Sequence, residues 1–439
     1  MRKRSYRVGA KVLGLGVGLS GLITFAFFAL ASHSLEPVAY KRVALLWSMA
    51  FIIVTVIYRP IEQLLSRTIA ERGGAPSLKT PLAIQGLFAL IFLGLAIAFR
   101  HKIQDDAFDG SSGLYLILLI AVMAYAASYF ARGWLAGHGR FELYSGLVTL
   151  ESTSRFLFVL AVALGVSHGQ VAVAFGIAAA PLLSLAVVPW GIASQRAPDS
   201  GVPRLRRRHA AKFAGAVLAI QLAEQAMINA PVIVTEVVTP ASEGALAGYV
   251  FNVLLITRAP LVLFQAIQTT LLPYIAGGGD EKKVIRATVG LVTAFAGAVS
   301  LSLLAVGPTV MHAVFGPGGE YARLGLTLVG LGMGFHLVAG TLNQAALARR
   351  HSAQAAAAWA LVAVLFLGWV AAPVMPDLLM RVEVGYFGAA AILCALLSAL
   401  YRRISGEPIV GPAGADIVEP LTTPPSPNGG NPAPVGRVV

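Results

Sequence analysis

The chain has 439 residues, of which 57% are hydrophobic and only 12% are charged, and its mean hydropathy is +0.76. Average soluble domains carry about 25% charged residues, so this composition excludes a soluble globular protein. The net charge of +13 would favour a nucleic-acid partner in a soluble chain, but in a membrane protein a basic excess first reports topology. The single cysteine, Cys394, excludes a disulfide framework and a cysteine-based metal site. We therefore expect a membrane protein without a nucleic-acid partner, a metal or a cofactor.

Apolar stretches long enough to cross a bilayer recur along the chain. A hydrocarbon core about 30 Å thick needs roughly 20 mostly apolar residues per helix. Twelve stretches of this kind cover the approximate ranges 12–31, 43–60, 82–99, 114–131, 146–165, 171–193, 213–237, 245–275, 284–306, 322–347, 355–374 and 384–401. The pattern predicts an all-α polytopic membrane protein with about 12 transmembrane helices.

Basic residues are divided unequally between the two sides of these helices. The N-terminus, the even-numbered connections and the segment after the twelfth span carry 24 Lys and Arg, whereas the odd-numbered connections carry 6. Cytoplasmic loops are enriched in Lys and Arg. We therefore predict a multi-pass protein of the inner (cytoplasmic) membrane with both termini in the cytoplasm.

The chain divides into two sets of six spans with the same orientation. Lys11-x-x-Gly14 opens the first span and Lys212-x-x-Gly215 the seventh. This similarity indicates two parallel-repeat six-helix bundles, with a substrate path between them at a central cavity near the midplane. The predicted organisation is listed from the N-terminus: an N-terminal bundle over 1–194, a basic cytoplasmic linker over 195–212, a C-terminal bundle over 213–403 and a disordered Pro-rich tail over 404–439.

Ionisable residues deep in the spans are candidate functional residues, because charge at the bilayer centre is costly. Arg155 in span five and Glu224 in span seven fall roughly 15–18 Å from the membrane surface at 1.5 Å per residue. Glu151 lies one turn from Arg155, at the i,i+4 spacing that allows an ion pair. Gln221 shares a helix face with Glu224. A buried structural pair and a cavity function both fit these residues, and in the cavity role Arg155 is a candidate for binding a substrate headgroup.

Span eight has the most unusual composition. It is too long for one straight crossing, and Pro260 and Pro273 should kink it. Asn252, Arg258 and Gln265 add polar groups that lipid would not solvate, so we expect this helix to line the cavity. For Arg258, a cavity role and a structural ion pair with Glu224 are both open.

Other polar residues near the spans have simpler interpretations. Arg59, beside Pro60, either snorkels to lipid headgroups or faces the cavity. Arg132 and Arg140 flank Trp134 and are interpreted as interface anchors. Residues 61–72 are predicted to continue the second helix along the cytoplasmic interface. His336 is interpreted as a hydrogen-bonded packing residue.

Enzymatic motifs are missing from the sequence. There is no Walker A, HExxH or GxSxG motif, and the glycine-rich stretch 277–280 lacks the Lys-Ser/Thr that binds phosphate and magnesium. We therefore expect no enzyme activity and no ATP-driven transport by this chain alone.

Several diffuse motifs together resemble a known family. They are the stretch 14–31 with the Leu35-Glu36-Pro37-x-x-Tyr40 turn after it, Arg67-x-x-Ala70, the segment ARGWLAGHGRF over 131–141, and Leu271-Leu272-Pro273. In this ensemble the chain resembles the flippases of the multidrug/oligosaccharidyl-lipid/polysaccharide (MOP) superfamily over residues 5–403. Absence of an extra helical pair makes it more similar to the Wzx-like polysaccharide branch than to the related lipid II flippases.

The resemblance implies two six-helix bundles that move a polyprenyl-diphosphate-linked saccharide to the external leaflet by alternating access. It implies diphosphate-binding arginines in the second and eighth helices, which Arg59 and Arg258 match. It also implies membrane lipids, a coupling ion and envelope-polysaccharide assembly proteins as partners. The first span departs from the family, because it has no charge between Lys11 and Glu36.

Three alternatives remain open from the sequence. A major-facilitator transporter has the same topology, but its Gly-x-x-x-Asp-Arg-x-Gly loop is absent from 59–80. A drug or cation antiporter of the MOP superfamily would be favoured by acidic cavity residues. A non-transporting membrane scaffold would use the surface and the tail.

Overall fold

The chain is all-helical in the part that the computed structural model describes, residues 2–72, 79–189, 207–239, 244–256, 281–316 and 319–405. The helices are α1 Arg2–Ser34, α2 Pro37–Arg72, α3 Lys79–Ala98, α4 Ser112–Gly137, α5 Phe141–Ala163, α6 Gly169–Ser184, α7 Arg207–Val238, α8 Leu246–Ile256, α9 Glu281–Phe315, α10 Arg323–Ala348, α11 Ser352–Ala371 and α12 Leu378–Ile404. Ten of these are long and apolar enough to cross a membrane, and α3 with its bent continuation makes an eleventh. The predicted twelve-helix membrane fold is confirmed, with α8 as the described part of span eight.

Span three differs from a simple straight helix. After α3 the chain bends by 73° into a short helical segment, Arg100–Ala107. That segment carries two basic and two acidic side chains that are exposed, and such groups cannot enter hydrocarbon without a large cost. This segment therefore does not continue the membrane-crossing direction of α3. Asp109 and Gly110, both at positive φ, turn it into α4, whose N-terminus the Ser111 side chain caps.

The two halves pack their helices in the same pattern. In the first half α1 packs on α5, α4 on α6, and α5 on α6; in the second half the equivalent pairs α7–α11, α10–α12 and α11–α12 are in contact. Equivalent contacts in two sets of six helices are what parallel repeats require. The halves meet mainly where α2 lies against α7, with a smaller contact between α1 and α9.

Small residues allow close helix contacts in both halves. A Cβ atom at Gly133 of α4 would lie 2.8 Å from the Glu62 carbonyl of α2, and one at Gly137 would lie 2.7 Å from Ile69 Cβ. In α10, a Cβ atom at Gly334 would lie 2.6 Å from Ala296 Cβ of α9. A Cβ atom at these positions would force neighbouring backbone or Cβ atoms to move, at a large cost in packing energy. These positions are therefore limited to glycine. The second helix continues through residues 61–72 as predicted, and this end of α2 packs on α4.

Some predicted features lie outside the described residues. These are the candidate residues Arg258 and Gln265, the prolines 260 and 273, most of the linker 195–212 and the tail from 406 onward. We call the side on which α1 begins and α12 ends the terminal side. The side that carries the α1–α2 connection is the opposite side.

Candidate functional site: an arginine-lined cavity between the bundles

A cavity of about 450 Å³ lies between the two halves. Most of its wall comes from α1, α2, α4 and α5 of the first half, while α7 and α8 contribute Gln225, Ile228, Asn229 and Leu255. Its lining extends from the middle of these helices to Leu13, Gln63 and Tyr144 near their terminal-side ends. The predicted central cavity between the bundles is therefore present, and it reaches toward the terminal side.

Glu151 is the centre of a buried ionic network in this wall. Its Oε2 accepts hydrogen bonds from Arg132 Nη2 at 2.5 Å and from the Ser128 hydroxyl at 3.1 Å. Its Oε1 accepts from Arg155 Nη2 at 3.2 Å, so the predicted i,i+4 pair is formed. Two guanidinium groups thus neutralise one carboxylate and leave one positive charge in excess. The carboxylate thus accepts three hydrogen bonds, two of them from guanidinium groups.

Aromatic side chains also contact the guanidinium group of Arg155. Its Nη2 also donates to the Tyr125 hydroxyl at 2.9 Å, and its guanidinium carbon lies 4.4 Å from the centre of the Trp47 ring. Arg132 stacks over Tyr129 in the same manner, at 4.5 Å. Cation–π contacts of this kind are stronger when the cation is shielded from water. The predicted interface role of Arg132 is wrong, because its guanidinium turns inward to Glu151 instead of outward to headgroups.

Arg59 and Glu62 add a second pair of charges to the cavity wall. Both line the cavity, and the Tyr144 hydroxyl donates to Glu62 Oε1 at 2.7 Å. Arg59 lines the cavity and makes no hydrogen bond or ion pair with another described residue. With Arg132 and Arg155, three guanidinium groups face two carboxylates, which gives this wall a net charge of +1.

The polar side chains of α7 divide between two directions. Gln225 and Asn229 hydrogen-bond to each other at 2.8 Å and line the cavity. Glu224 instead accepts a hydrogen bond from Gln221 at 3.2 Å and lies 3.9 Å from His336 Nε2 of α10. The shared face predicted for Gln221 and Glu224 is therefore correct, but it turns away from the cavity and into the second bundle. His336 also contacts the Tyr386 hydroxyl at 3.3 Å and is buried, as a packing histidine would be.

On the opposite side the two halves are joined by a chain of hydrogen bonds. The Tyr40 hydroxyl of α2 donates to Asn252 Oδ1 of α8 at 2.5 Å, and Asn252 Nδ2 donates to the Tyr321 hydroxyl at 3.0 Å. All three side chains are buried. Burial raises the pKa of Tyr321 to about 12, so this contact stays neutral at physiological pH. Asn252 thus closes the opposite side and does not line the cavity.

An ion pair reinforces this closure. Lys41 of α2 binds Glu236 of α7 at 2.6 Å and lies 3.7 Å from Asp109, which Arg42 also binds at 2.7 Å. Lys41 is 4% exposed, so its charge depends on these partners. Phe28 of α1 packs on Phe251 of α8 beside it, with ring centres 4.5 Å apart. We call the set Tyr40, Lys41, Glu236, Asn252 and Tyr321 the closure.

Sequence reasoning placed some site residues and missed others. The structure brings Arg59, Glu151 and Arg155 into one cavity wall. The depth of Glu151 and Arg155 suggested this, whereas for Arg59 a snorkelling role and a cavity role were both open. It adds Arg132 and Glu62, which had been placed at the interface because each lies near a helix end. The signal that could have found Arg132 is its position in the same membrane layer as Glu151 on the following helix.

Comparison with known proteins agrees on the fold. No protein-family model and no curated protein matches the chain. Among solved structures, the eukaryotic MATE transporter AtDTX14 is 13% identical over 91% of this chain and 96% of its own, with a TM-score of 0.65. A variant of the Vibrio cholerae MATE transporter VcmN is 15% identical over 92% and 99%, with a TM-score of 0.60.

Two further neighbours are an inward-facing and an outward-facing structure of a multidrug-resistance MATE transporter of the MOP superfamily. Their TM-scores are 0.59 and 0.58, with 13% and 15% identity. They cover 90% of this chain in each case and 94% and 95% of their own chains. Identities this low establish the fold alone. The chain therefore has the fold of the MATE transporters of the MOP superfamily, with two six-helix bundles around a central cavity.

Proposed function

We propose that this chain is a transporter that moves an amphiphilic molecule with an anionic headgroup across the membrane by alternating access. The observation that carries the proposal is the net positive cavity wall, in which Arg59, Arg132 and Arg155 face two carboxylates. A phosphate or diphosphate cannot cross hydrocarbon unaided, whereas guanidinium groups offer it charge-assisted, bidentate hydrogen bonds. The substrate we propose is a polyprenyl-diphosphate-linked saccharide used for cell-envelope polysaccharide.

Arg59 is the best placed of the three arginines to bind the headgroup. Arg132 and Arg155 are already bound to Glu151, whereas Arg59 lines the cavity with its donors available. Arg258 and Gln265 lie outside the described residues, and we propose Arg258 as a second headgroup-binding residue and Gln265 as a polar residue of the cavity. In this proposal Arg132 and Arg155 make the cavity wall electropositive, and Arg59 contacts the headgroup directly.

An apolar recess next to the cavity supports a lipid substrate over a soluble one. It has a volume of about 1090 Å³ and lies between α2, α3 and α7. One face of α2, with Trp47, Phe51 and Thr55, lines the cavity, and another face, with Met49, Ile53 and Val56, lines the recess.

The direction of movement follows from the predicted topology. If the terminal side is cytoplasmic, as the 24 to 6 distribution of basic residues predicts, the cavity opens inward and the closure is external. Substrate then enters the cavity from the cytoplasmic side of the inner membrane. It leaves on the external side when the closure opens. We further propose that residues 1–194 and 213–403 are the two moving bodies, with 195–212 as linker and 404–439 as tail.

Energy for transport would come from an ion gradient or the membrane potential, which is worth about 2.3 kcal/mol per charge per 100 mV. Glu224 is the candidate for coupling, because it is a buried carboxylate near the midplane with a titratable partner, His336. Envelope-polysaccharide assembly proteins and membrane lipids are the partners that this function would require.

Transport of a defined lipid tests the proposal. Purified protein in proteoliposomes should translocate a fluorescent short-chain polyprenyl-diphosphate sugar, and cells depleted of the protein should accumulate the lipid-linked glycan. Arg59→Gln should weaken binding of the probe about tenfold to a hundredfold, because one charge-assisted contact contributes about 1.5–3 kcal/mol. Arg100→Gln, an exposed arginine outside the cavity, is the matched control. Parental binding by Arg59→Gln would contradict the headgroup site.

A drug antiporter is the second candidate function. It is favoured by the neighbours described as multidrug-resistance transporters, and by a cavity volume within the usual range for small ligands. The same proteoliposomes should then extrude a fluorescent lipophilic cation under a pH gradient and leave the lipid probe unmoved. The excess of arginine over carboxylate in the cavity argues against a cationic substrate.

Cysteine labelling tests the topology on which the direction depends. In a Cys394→Ala background, a cysteine at Ser112 should react from outside intact cells, and one at Ser200 only after permeabilisation. The reverse result would invert the membrane orientation and turn the proposed flippase into an importer.

A further inference from the structure

Tyr144 of α5 holds the carboxylate of Glu62 at the terminal-side end of the cavity. The Tyr144 hydroxyl donates to Glu62 Oε1 at 2.7 Å, and both side chains line the cavity. This contact joins two helices, since Glu62 belongs to α2 and lies 82 positions before Tyr144 in the chain. Among the described residues it is the hydrogen bond that the Glu62 carboxylate accepts. The direction in which this carboxylate points therefore depends on one phenol of another helix.

Arg59 lies on the same helix as Glu62, within reach of its carboxylate. Residues three apart on a helix are neighbours, with Cβ atoms about 5–6 Å apart, so this spacing allows an ion pair. Both side chains line the cavity, yet they do not form that pair. The hydrogen bond to Tyr144 thus directs the Glu62 carboxylate to α5 and away from its neighbour on α2.

Arg132 is the other arginine whose charge acts on Glu62. Its Nη2 already binds Glu151 Oε2 at 2.5 Å, and its guanidinium stacks over the Tyr129 ring at 4.5 Å. Two contacts of this kind fix the guanidinium in the wall. A Glu62 carboxylate that is released from Tyr144 would therefore pair with Arg59, which has no such contacts among the described residues.

We propose that Glu62 is an internal competitor for Arg59, and that Tyr144 is a positioning residue that keeps the two apart. With the phenol in place, the Arg59 guanidinium can bind an anion in the cavity. Without it, the Glu62 carboxylate turns to Arg59 and takes the donors that a phosphate would use, because guanidinium binds carboxylate and phosphate in the same bidentate way. This inference rests on the proposed function, in which Arg59 contacts the headgroup.

Pyrophosphate binding to the full-length protein in phosphatidylcholine nanodiscs tests the competition. Inorganic pyrophosphate is the probe, and isothermal titration calorimetry measures its affinity. Tyr144→Phe should weaken binding about fivefold, which corresponds to about 1 kcal/mol, the upper end for ion pairs in contact with water. In a Glu62→Gln background the same substitution should leave the affinity unchanged, because the competitor is gone. Tyr115→Phe, which removes a phenol bound to the Ala96 carbonyl outside the cavity, is the matched control.

Glu62→Asp tests the same competition with Tyr144 intact. The shorter side chain should lose its contact with the phenol on α5, whereas the long Arg59 side chain on the same helix can still reach the carboxylate. Pyrophosphate binding should then weaken about as much as in Tyr144→Phe. This variant keeps the test decisive if Tyr144→Phe does not fold.

The outcomes separate this inference from the proposed function. An equal loss from Tyr144→Phe in the parental and Glu62→Gln backgrounds would overturn the inference, since Tyr144 would then contact the anion itself or only support the fold. Parental affinity in both Tyr144→Phe and Glu62→Asp would overturn it too, because Glu62 would not reach Arg59. A parental protein that binds no pyrophosphate would instead contradict the headgroup site, and the competition for Arg59 with it.

Discussion

The two bundles bury their ionisable side chains in opposite ways. In the first bundle the Glu151 carboxylate meets two guanidinium groups at hydrogen-bonding distance, so the charges are fixed and paired. In the second bundle Glu224 has His336 as its nearest ionisable partner, and Glu383 has none among the described residues. Fixed positive charge can hold an anion at any physiological pH, whereas carboxyl and imidazole groups can exchange protons. The two bundles thus differ in how their buried carboxyl groups are paired, although they share one repeated fold.

Buried arginines occur in the second bundle too, but they donate hydrogen bonds to backbone carbonyl groups. Arg381 donates to the Met375 carbonyl of the α11–α12 connection and to the Val370 carbonyl at the end of α11, and Arg349 donates to the Ile404 carbonyl at 2.9 Å. Both lie near helix ends, where carbonyl groups lack helical partners. The two bundles therefore share their helix packing but not the positions of their charged side chains. Packing depends on many residues, whereas the position of a charge depends on one.

The largest expected effect is from Glu151→Gln in the first bundle. Neutralising this carboxylate removes the ion-pair partner of two buried guanidinium groups, which should lower the free energy of unfolding by about 3–5 kcal/mol. Thermal unfolding in detergent measures it. The control is Glu142→Gln, an exposed residue of the same helix, which should change stability by no more than about 0.5 kcal/mol. Equal stability of the two variants would show that the network is hydrated and would remove the contrast between bundles.

An intermediate effect is expected at the closure between the bundles. Glu236→Gln should weaken the contact with Lys41 by about 1.5–3 kcal/mol, since a hydrogen bond between charged groups is lost. A cysteine at Thr24, in the cavity wall, should then become reactive from the opposite side.

The charge-swapped pair Lys41→Glu with Glu236→Lys should restore the parental labelling, if it recovers the contact. Labelling that is the same in all three proteins would mean that the hydrogen bonds of Tyr40 and Asn252 hold this side closed without the ion pair.

The smallest effect is expected from His336→Gln in the second bundle. The variant loses a long hydrogen bond to Tyr386 but no ion pair. The free energy of unfolding should therefore fall by about 0.5–1.5 kcal/mol. Chemical denaturation of the detergent-solubilised protein measures the change. A loss as large as that of Glu151→Gln would mean that His336 is charged and paired with Glu224, and the second bundle would then resemble the first.

The sequence alone determined the number of helices, their repeat and one ion pair. Hydrophobic length sets the spans, because each must cross about 30 Å of hydrocarbon. The Glu151–Arg155 pair is local, since residues four apart on a helix face the same direction. The deep position of Glu151 and Arg155 also followed from counting residues along their helix, whereas the same count places Arg59 near the cytoplasmic interface.

Only the tertiary structure decided which way the polar side chains face. Arg132 joins Glu151 from another helix, Asn252 closes the opposite side, and Glu224 turns toward His336 instead of the cavity. Transmembrane helices are apolar on nearly every face, so their periodicity does not reveal which face meets a partner. The rotation of each helix is set by close packing at residues such as Gly133 and Gly334, whose partners lie far away in the sequence.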